Sequence, residues 1–250
     1  MAIALSPTPL PTARTPRTRR VPRGGLARMD LFAGLPEADV ALLENRLPVI
    51  RWPRGADVPE PLTRGEHLFL VREGRIAIFE RAAQGAEVMT SILDEGAIWS
   101  TLGADAPASV GALDDAAVSV LSGRAVEGLI ARYPRLGRNI AAQLSERVSS
   151  LRETVALVSE MRVEDRLKAR LHQLATRFGV AGPDGVLLKL ELTHAQWASL
   201  VGASREAVTT AFSKLRNQGA VEIEGRQITL PWDVVREHQD MLDAQAADAA

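Results

Sequence analysis

Hydrophobic and polar positions change rhythm along the chain. In the segment Asp30–Leu47, Val40, Leu43 and Leu47 fall at helical spacing, and Pro36 suits a first helical position. From Trp52 to about Leu121 the apolar runs shorten to LFLV at 68–71, IAIF at 76–79, VMTSIL at 88–93 and AVSVL at 117–121, separated by Gly, Asp and Pro. Such runs between turn signals predict the strands of a small antiparallel barrel or sandwich. After Arg124 the period becomes helical again. Leu136, Ile140, Leu144, Val148, Leu151, Val155 and Val158 step by 4, 4, 4, 3, 4 and 3, with Arg138, Gln143, Glu146, Arg147, Arg152 and Glu153 on the other faces. This narrow, sustained seam predicts a helix that pairs with its copy in a dimer. The alternative is a long helix packed on its own barrel. Arg162–Phe178 predicts another amphipathic helix, with Leu167, Leu171 and Leu174 on one side. Gly179–Gly185 reads as a loop and Leu187–Leu192 as a short strand. Thr193–Val201, Ser204–Asn217 and the pair 220–223/226–230 then read as helix, helix and hairpin.

Composition narrows the classes. Of 250 residues, 46% are apolar and 24% charged, enough for a sizeable core in one large domain or two ordinary ones. The absence of cysteine excludes disulfides, thiol catalysis, iron–sulfur clusters and Cys-based zinc sites. No apolar run reaches the roughly 18 to 20 residues of a membrane span, and no secretory signal is apparent, so a cytoplasmic protein is expected. Net charge is −1, but it is unevenly placed. Residues 1–29 hold six arginines and no acid, whereas five acids face one arginine from Asp233 onward. The Pro- and Arg-rich start predicts a disordered tail in which Arg17, Arg19 and Arg20 can meet DNA phosphates; a dispensable extension is the alternative.

The segment LTHAQWASLVGASREAVTTAFSKLRNQG at 192–219 carries the chemistry. Gly202 suits the tight turn between two helices, with Thr193 and Ser204 as their N-caps. On the second helix Val208, Ala211, Phe212 and Leu215 share one face, and Glu206, Thr210, Ser213 and Asn217 share the opposite one. Arg205 projects from the N-terminal tip, and Thr209 and Lys214 flank the stripe. An ordinary solvated face is polar too; the capping serine, Arg-Glu tip, turn glycine and following hairpin together go beyond it. Arg205 suits guanine and Glu206 suits cytosine N4. His194 suits the DNA backbone, and Arg226 on the hairpin suits a phosphate. The residues expected to face DNA are therefore Thr193, His194, Ser204, Arg205, Glu206, Thr209, Thr210, Ser213, Lys214 and Arg226.

These residues resemble the winged helix-turn-helix of the CRP/FNR superfamily of transcription regulators. The match stands on Leu192-Thr193, Ala198, Val201-Gly202, Ser204-Arg205-Glu206, Val208 and Leu215. LFAGLP at 31–36 resembles the family's opening helix, and LFLVREGRIAIF at 68–79 its β-roll signature, with Gly74 in the turn. RVEDRLKARLHQLA resembles its domain-joining helix. The fold implied is α+β: an N-terminal antiparallel β-roll, a long dimerisation helix and a C-terminal winged helix-turn-helix. The expected boundaries are a tail at 1–28, a sensor-like β-roll at 29–124, the dimerisation helix at 125–160, the DNA-binding domain at 161–237 and an acidic tail at 238–250. The implied partners are double-stranded DNA, a second copy of the chain and RNA polymerase, with no membrane.

The chain departs from the family in its effector region. Cyclic-AMP-binding members hold the phosphate with a Gly-Glu pair and an Arg-Ser/Thr-Ala run. Here Ser100-Thr101 stands in place of Gly-Glu, and no arginine lies between Arg81 and Arg124. Trp99, Ser100, Thr101 and Ser109 remain as effector-pocket candidates, and cyclic AMP is not the expected effector. No cofactor is expected. His67 reads as an exposed strand residue, and His172, His194 and His238 form no metal-spaced pair. Thr210 stands where the family often carries a second arginine, and Trp197 where aliphatics are usual; Trp197 reads as core. No Walker loop, HExxH, GxGxxG or complete GxSxG is present, so no enzyme is expected. The competing reading is a sensor of this fold that has lost specific DNA binding.

Overall fold

The computed structural model describes residues 25–81, 85, 87–103, 109–160 and 162–238, with side chains undescribed at 60, 61, 153 and 156–160. The arginines of the N-terminal tail up to Arg23 and the acidic end from 239 lie outside the described residues. The chain divides into two compact units that meet between Glu153 and Thr154.

The first unit opens with 3-10 turns at Leu26–Arg28 and Asp30–Phe32. Leu26 is fully buried, and its amide donates to Glu44 Oε2 at 2.7 Å. The expected tail therefore ends before residue 28, because an apolar anchor is already packed there. Helix α1 follows at Glu37–Arg46; Pro36 lies just outside it as N-cap, one position earlier than expected. Next come β1 (Val49–Trp52), α2 (Glu60–Thr63), β2 (His67–Glu73), β3 (Ile76–Arg81), β4 (Glu87–Leu93), β5 (Ile98–Ser100), β6 (Ser109–Ala112) and β7 (Ala116–Ser122). They pair antiparallel in two sheets, ordered β1-β7-β2-β5 and β4-β3-β6. Strand β2 lies inside the first sheet and is buried on both faces. Phe69 and Val71 enter one core with Ile76, Ile78, Trp99, Val110 and Val118, while Leu68 and Leu70 enter a second with Leu26, Phe32, Val40 and Leu43. Burial on both sides is why LFLV reads as a continuous run instead of alternating. At Gly74, φ is +73°, and a Cβ would lie 2.3 Å from the Asp115 carbonyl oxygen, so the β2–β3 turn requires glycine.

The expected single helix from 125 is two. Helix α3 spans Gly123–Arg132, with the Ser122 hydroxyl accepting from the Ala125 amide, and α4 spans Pro134–Glu160. Tyr133 between them has ψ +80°, consistent with the steric bar that a following proline sets against helical backbone. Leu136 is 3% exposed in the core of its own unit, with Ile140 and Leu144 packed against that core. The upper seam is therefore engaged in part by the chain itself: Leu136 is buried there, and Ile140 and Leu144 are half-buried. Lower down, Val148 and Val155 are 48% and 65% exposed. Leu151 is half-buried, and the side chain of Val158 lies outside the described residues.

The second unit contains α5 (Val163–Phe178), β8 (Gly179–Ala181), β9 (Gly185–Leu188), α6 (His194–Val201), α7 (Arg205–Asn217), β10 (Glu222–Glu224) and β11 (Gln227–Pro231). Its sheet runs β10-β11-β9-β8, all antiparallel. The expected loop at 179–185 is a hairpin instead. A Cβ on Gly179 would meet the Ala175 carbonyl oxygen at 2.2 Å, and one on Gly185 would meet that of Leu230 at 2.1 Å. Both glycines permit close backbone approach within ordered structure, where the sequence suggested turn signals. The short strand expected at Leu187–Leu192 lies earlier, at Gly185–Leu188.

Candidate nucleic-acid interface

The helix-turn-helix is held from its turn outward. Gly202 adopts φ +67° and ψ +50° and caps α6. Arg166 of α5 donates to the Gly202 carbonyl at 3.2 Å, a tether the sequence reading missed. The Thr193 hydroxyl accepts from the Gln196 amide at 3.2 Å, and the Thr193 amide donates to Gln196 Oε1 at 2.8 Å. This is a complete capping box; the T-x-x-Q spacing was its available signal. The Ser204 hydroxyl accepts from the Ala207 amide at 3.1 Å and starts α7. Val208, Ala211, Phe212 and Leu215 are buried as the wheel predicts. Trp197 is 1% exposed and meets Phe212 edge-on at 5.5 Å, which places it in the core.

The opposite face is exposed, and most of its hydroxyls are engaged locally. Thr209, Thr210 and Ser213 donate to the carbonyls of Arg205, Glu206 and Thr209 at 2.8, 3.0 and 3.0 Å. The Glu206 carboxyl is held below its ordinary range by its own backbone amide, then by the Ser204 hydroxyl and the Arg205 charge. Lys214 forms an ion pair with Glu164 of α5 at 3.3 Å, which draws it toward the scaffold. Arg205 and Arg226 make no hydrogen bond or ion pair among the described residues, and both line one groove with Thr193, His194, Trp197, Phe212 and Ile223. The hairpin turn is Gly225-Arg226, because Glu224 pairs with Gln227; the expected Glu224-Gly225 turn is shifted by one residue. That shift places Arg226 at the tip. Among the described residues the groove therefore joins the start of α6, the start of α7 and the hairpin tip, with two unpaired cations facing it.

The effector candidates are placed differently. Trp99 is 2% exposed and stacks on Phe69 at 3.9 Å with 2° between the rings. Thr101 is buried; its hydroxyl donates to the Gly65 carbonyl and accepts from the His67 amide. The Ser100 hydroxyl accepts from the Leu102 amide at 3.0 Å and lies 3.4 Å from the His67 carbonyl. These hydroxyls close the β2–β5 edge and are not free pocket donors. Ser109 starts β6, paired with Phe79, and residues 104–108 lie outside the described residues. His67 is half-buried, against the exposed position expected, with Nδ1 buried and unpartnered. His172 and His238, which have no metal-ligand spacing in the sequence, stack at 3.9 Å. Burial, then His238 and Lys168, push His172 down to about 4. Among the described residues no group of three His, Cys, Asp or Glu side chains is placed to hold a metal. Among them also, no helix is long and apolar enough to cross a membrane.

This geometry, with two helices, a glycine turn and a basic hairpin tip, is that of a winged helix-turn-helix. Residues 165–231 match the Crp-like helix-turn-helix domain family. The chain is 27% identical over 212 residues to a CRP-like cAMP-activated global transcriptional regulator of Mycobacterium tuberculosis, covering 82% of this chain and 93% of that one. It is 22% identical over 231 residues to the fumarate and nitrate reduction regulatory protein of Vibrio cholerae, covering 86% and 91%. Its fold is similar to that of a CooA mutant from Carboxydothermus hydrogenoformans, with TM-score 0.66, 22% identity and coverage of 79% and 88%. A c-di-GMP-responsive global regulator of Xanthomonas campestris gives TM-score 0.65 at 21% identity, covering 75% and 95%. Residues 165–231 thus match a Crp-like helix-turn-helix domain, and the chain as a whole is similar in sequence and fold to transcription regulators of the CRP/FNR type.

Proposed function

We propose that the chain acts as a homodimer that binds a near-palindromic DNA operator sequence-specifically and does so without cyclic AMP. The observation that carries the DNA reading is the pair Arg205 and Arg226, unpaired and lining one groove beside the recognition helix α7. In this reading Arg205 and Glu206 face base edges, while Thr193, His194, Ser204, Thr209 and Arg226 position the backbone. Thr210 and Ser213 present oxygen acceptors on the same face, and Lys214 supports from its flank. A winged helix of this kind places α7 in a major groove, and a two-fold dimer sets half-sites about 34–36 Å apart. Support for the dimer comes from Val148 and Val155, exposed apolar residues seven positions apart and so on one face of α4. Support for independence from cyclic AMP comes from the stacked Phe69–Trp99 pair and the engaged hydroxyls of Ser100 and Thr101. A buried cyclic phosphate needs a paired cation or dense donors.

The test is site selection with the full chain, followed by sedimentation and calorimetry. The expected results are a two-fold symmetric consensus, a dimer that Leu151→Arg dissociates, and DNA affinity unchanged by cyclic AMP. Micromolar cyclic-AMP binding that tightens DNA affinity tenfold, about 1.4 kcal/mol of coupling, overturns the last part. Failure to select any duplex favours the sensor that has lost DNA binding.

A further inference from the structure

A chain of contacts favours one tautomer of a ring in the groove. The Thr209 hydroxyl has a single proton and donates it to the Arg205 carbonyl at 2.8 Å. His194 Nδ1 lies 2.9 Å from the same hydroxyl oxygen. Both contacts form together only when the oxygen accepts from the ring, that is, in the tautomer whose Nδ1 carries the hydrogen. The ring is also held flat against Phe212, with centroids 5.4 Å apart and 16° between planes. A neutral imidazole has one N–H, and here it is turned inward to Thr209. Nε2 then carries a lone pair, and a lone pair cannot bond a phosphate oxygen. His194 is exposed and lines the groove with Arg205 of α7 and Arg226 of the hairpin. These are the charged groups facing it from the packed elements, and the groove lining includes no carboxylate. The counter-ion for a charged ring at this place has to be brought by the ligand.

We propose that His194 contacts a DNA backbone phosphate through a protonated Nε2, so that DNA binding takes up a proton, with Thr209 as the positioning residue that makes the proton necessary. No covalent step is involved: one proton moves from solvent to Nε2 as the N–H···O–P bond forms. The inference rests on the DNA-binding reading above and adds to it a proton linkage and a residue that sets it.

The experiment uses the full chain and a fluorescent duplex obtained by site selection. Affinity is measured by anisotropy at pH 6 and pH 8 at constant ionic strength, with calorimetry in buffers of different ionisation enthalpy. The wild-type chain should weaken several-fold from pH 6 to pH 8 and take up protons on binding. His194→Asn keeps a donor for Thr209 but lacks Nε2; it should be weak at both values, with the pH slope gone. His194→Arg carries a permanent charge and should bind equally at both values, near the wild-type level at pH 6. Thr209→Val removes the acceptor and lets the neutral ring present Nε2–H. The variant's affinity at pH 8 should then approach its own value at pH 6, whatever the loss of Thr209 costs at both, which a merely structural role for Thr209 does not produce. A flat wild-type profile, or a slope that persists in His194→Asn, overturns the proposal. A chain that selects no duplex at either pH overturns the DNA-binding reading and this inference with it.

Discussion

Three arginines of the β-roll and two of the winged unit are used in opposite ways. In the β-roll, Arg51 pairs with Glu73 at 2.8 Å, Arg75 meets Asp114 at 2.5 and 3.0 Å, and buried Arg72 pairs with Glu44. Arg72 also donates to the Ser119 hydroxyl at 3.2 Å, and Glu44 accepts from the Leu26 amide. In the winged unit Arg205 and Arg226 have no such partners among the described residues. The contrast separates arginines that hold the fold from those available to an outside anion, a distinction invisible in a net charge of −1. In the proposed DNA reading, the winged unit needs no strong overall charge: two cations beside one groove act locally.

Breaking the paired side should give the largest effect. Arg72→Ala leaves Glu44 half of a broken buried pair and should cost roughly 3–5 kcal/mol of folding stability, measured by denaturant unfolding. Arg72→Met with Glu44→Leu should recover most of that loss. If Arg72→Ala unfolds like wild type, the pair is not structural. A second stability effect depends on pH. His172 is held near 4 in the fold against an ordinary 6.5. The unfolded chain therefore binds the proton first, and stability present above pH 6.5 should be lost progressively as pH falls toward 4. The scale is a few kcal/mol at most. In His172→Phe this part of the acid dependence should disappear from urea titrations at pH 7 and pH 5.

On the unpaired side, folding should be untouched and binding should change. Arg205→Ala should cost roughly 1–3 kcal/mol of DNA affinity and relax preference at one base pair. Thermal unfolding of the same variant should match wild type; a large loss there would show that Arg205 belongs with the paired class. Arg226→Ala should give the smallest change, weakening all duplexes alike and reducing the salt slope by about one. A sequence-dependent loss for Arg226→Ala would reverse the sorting of the two residues.

Much of this was readable from residue order. Wherever a period repeats locally, as in the buried face of α7 or the run LFLV, the pattern names its own elements. The capping Thr193 and Ser204 and the left-handed Gly202 were legible because their geometry is set within a few residues. Other features depend on what arrives from elsewhere in the chain. The period of α4 places Leu136 and Val148 on one stripe, but it cannot say that the barrel covers the first and leaves the second exposed. Gly179 and Gly185 look like loop glycines until the opposing carbonyls are in place. Strands β1, β5 and β6 are short, and their pairing comes from neighbours distant in sequence. The hydroxyls of Ser100 and Thr101 look available until the carbonyls of Gly65 and His67 cross them. The contact of His172 with His238 is tertiary, and no spacing rule finds it.

The four-stranded sheet of the winged unit has two open borders, and each is only three residues long. A border strand offers unpaired amides and carbonyls to any neighbouring chain, so short length limits the ladder that can form. On the hairpin border Glu222 and Glu224 are both exposed and flank Ile223. A chain adding itself there would stack identical carboxylates across the new seam, which is unfavourable for like charges directly opposite. The consequence concerns crowding. Copies gathered at high local concentration meet an acidic hairpin margin that disfavours edge-to-edge growth, whereas the β8 margin, with Val180 exposed, relies on its shortness alone.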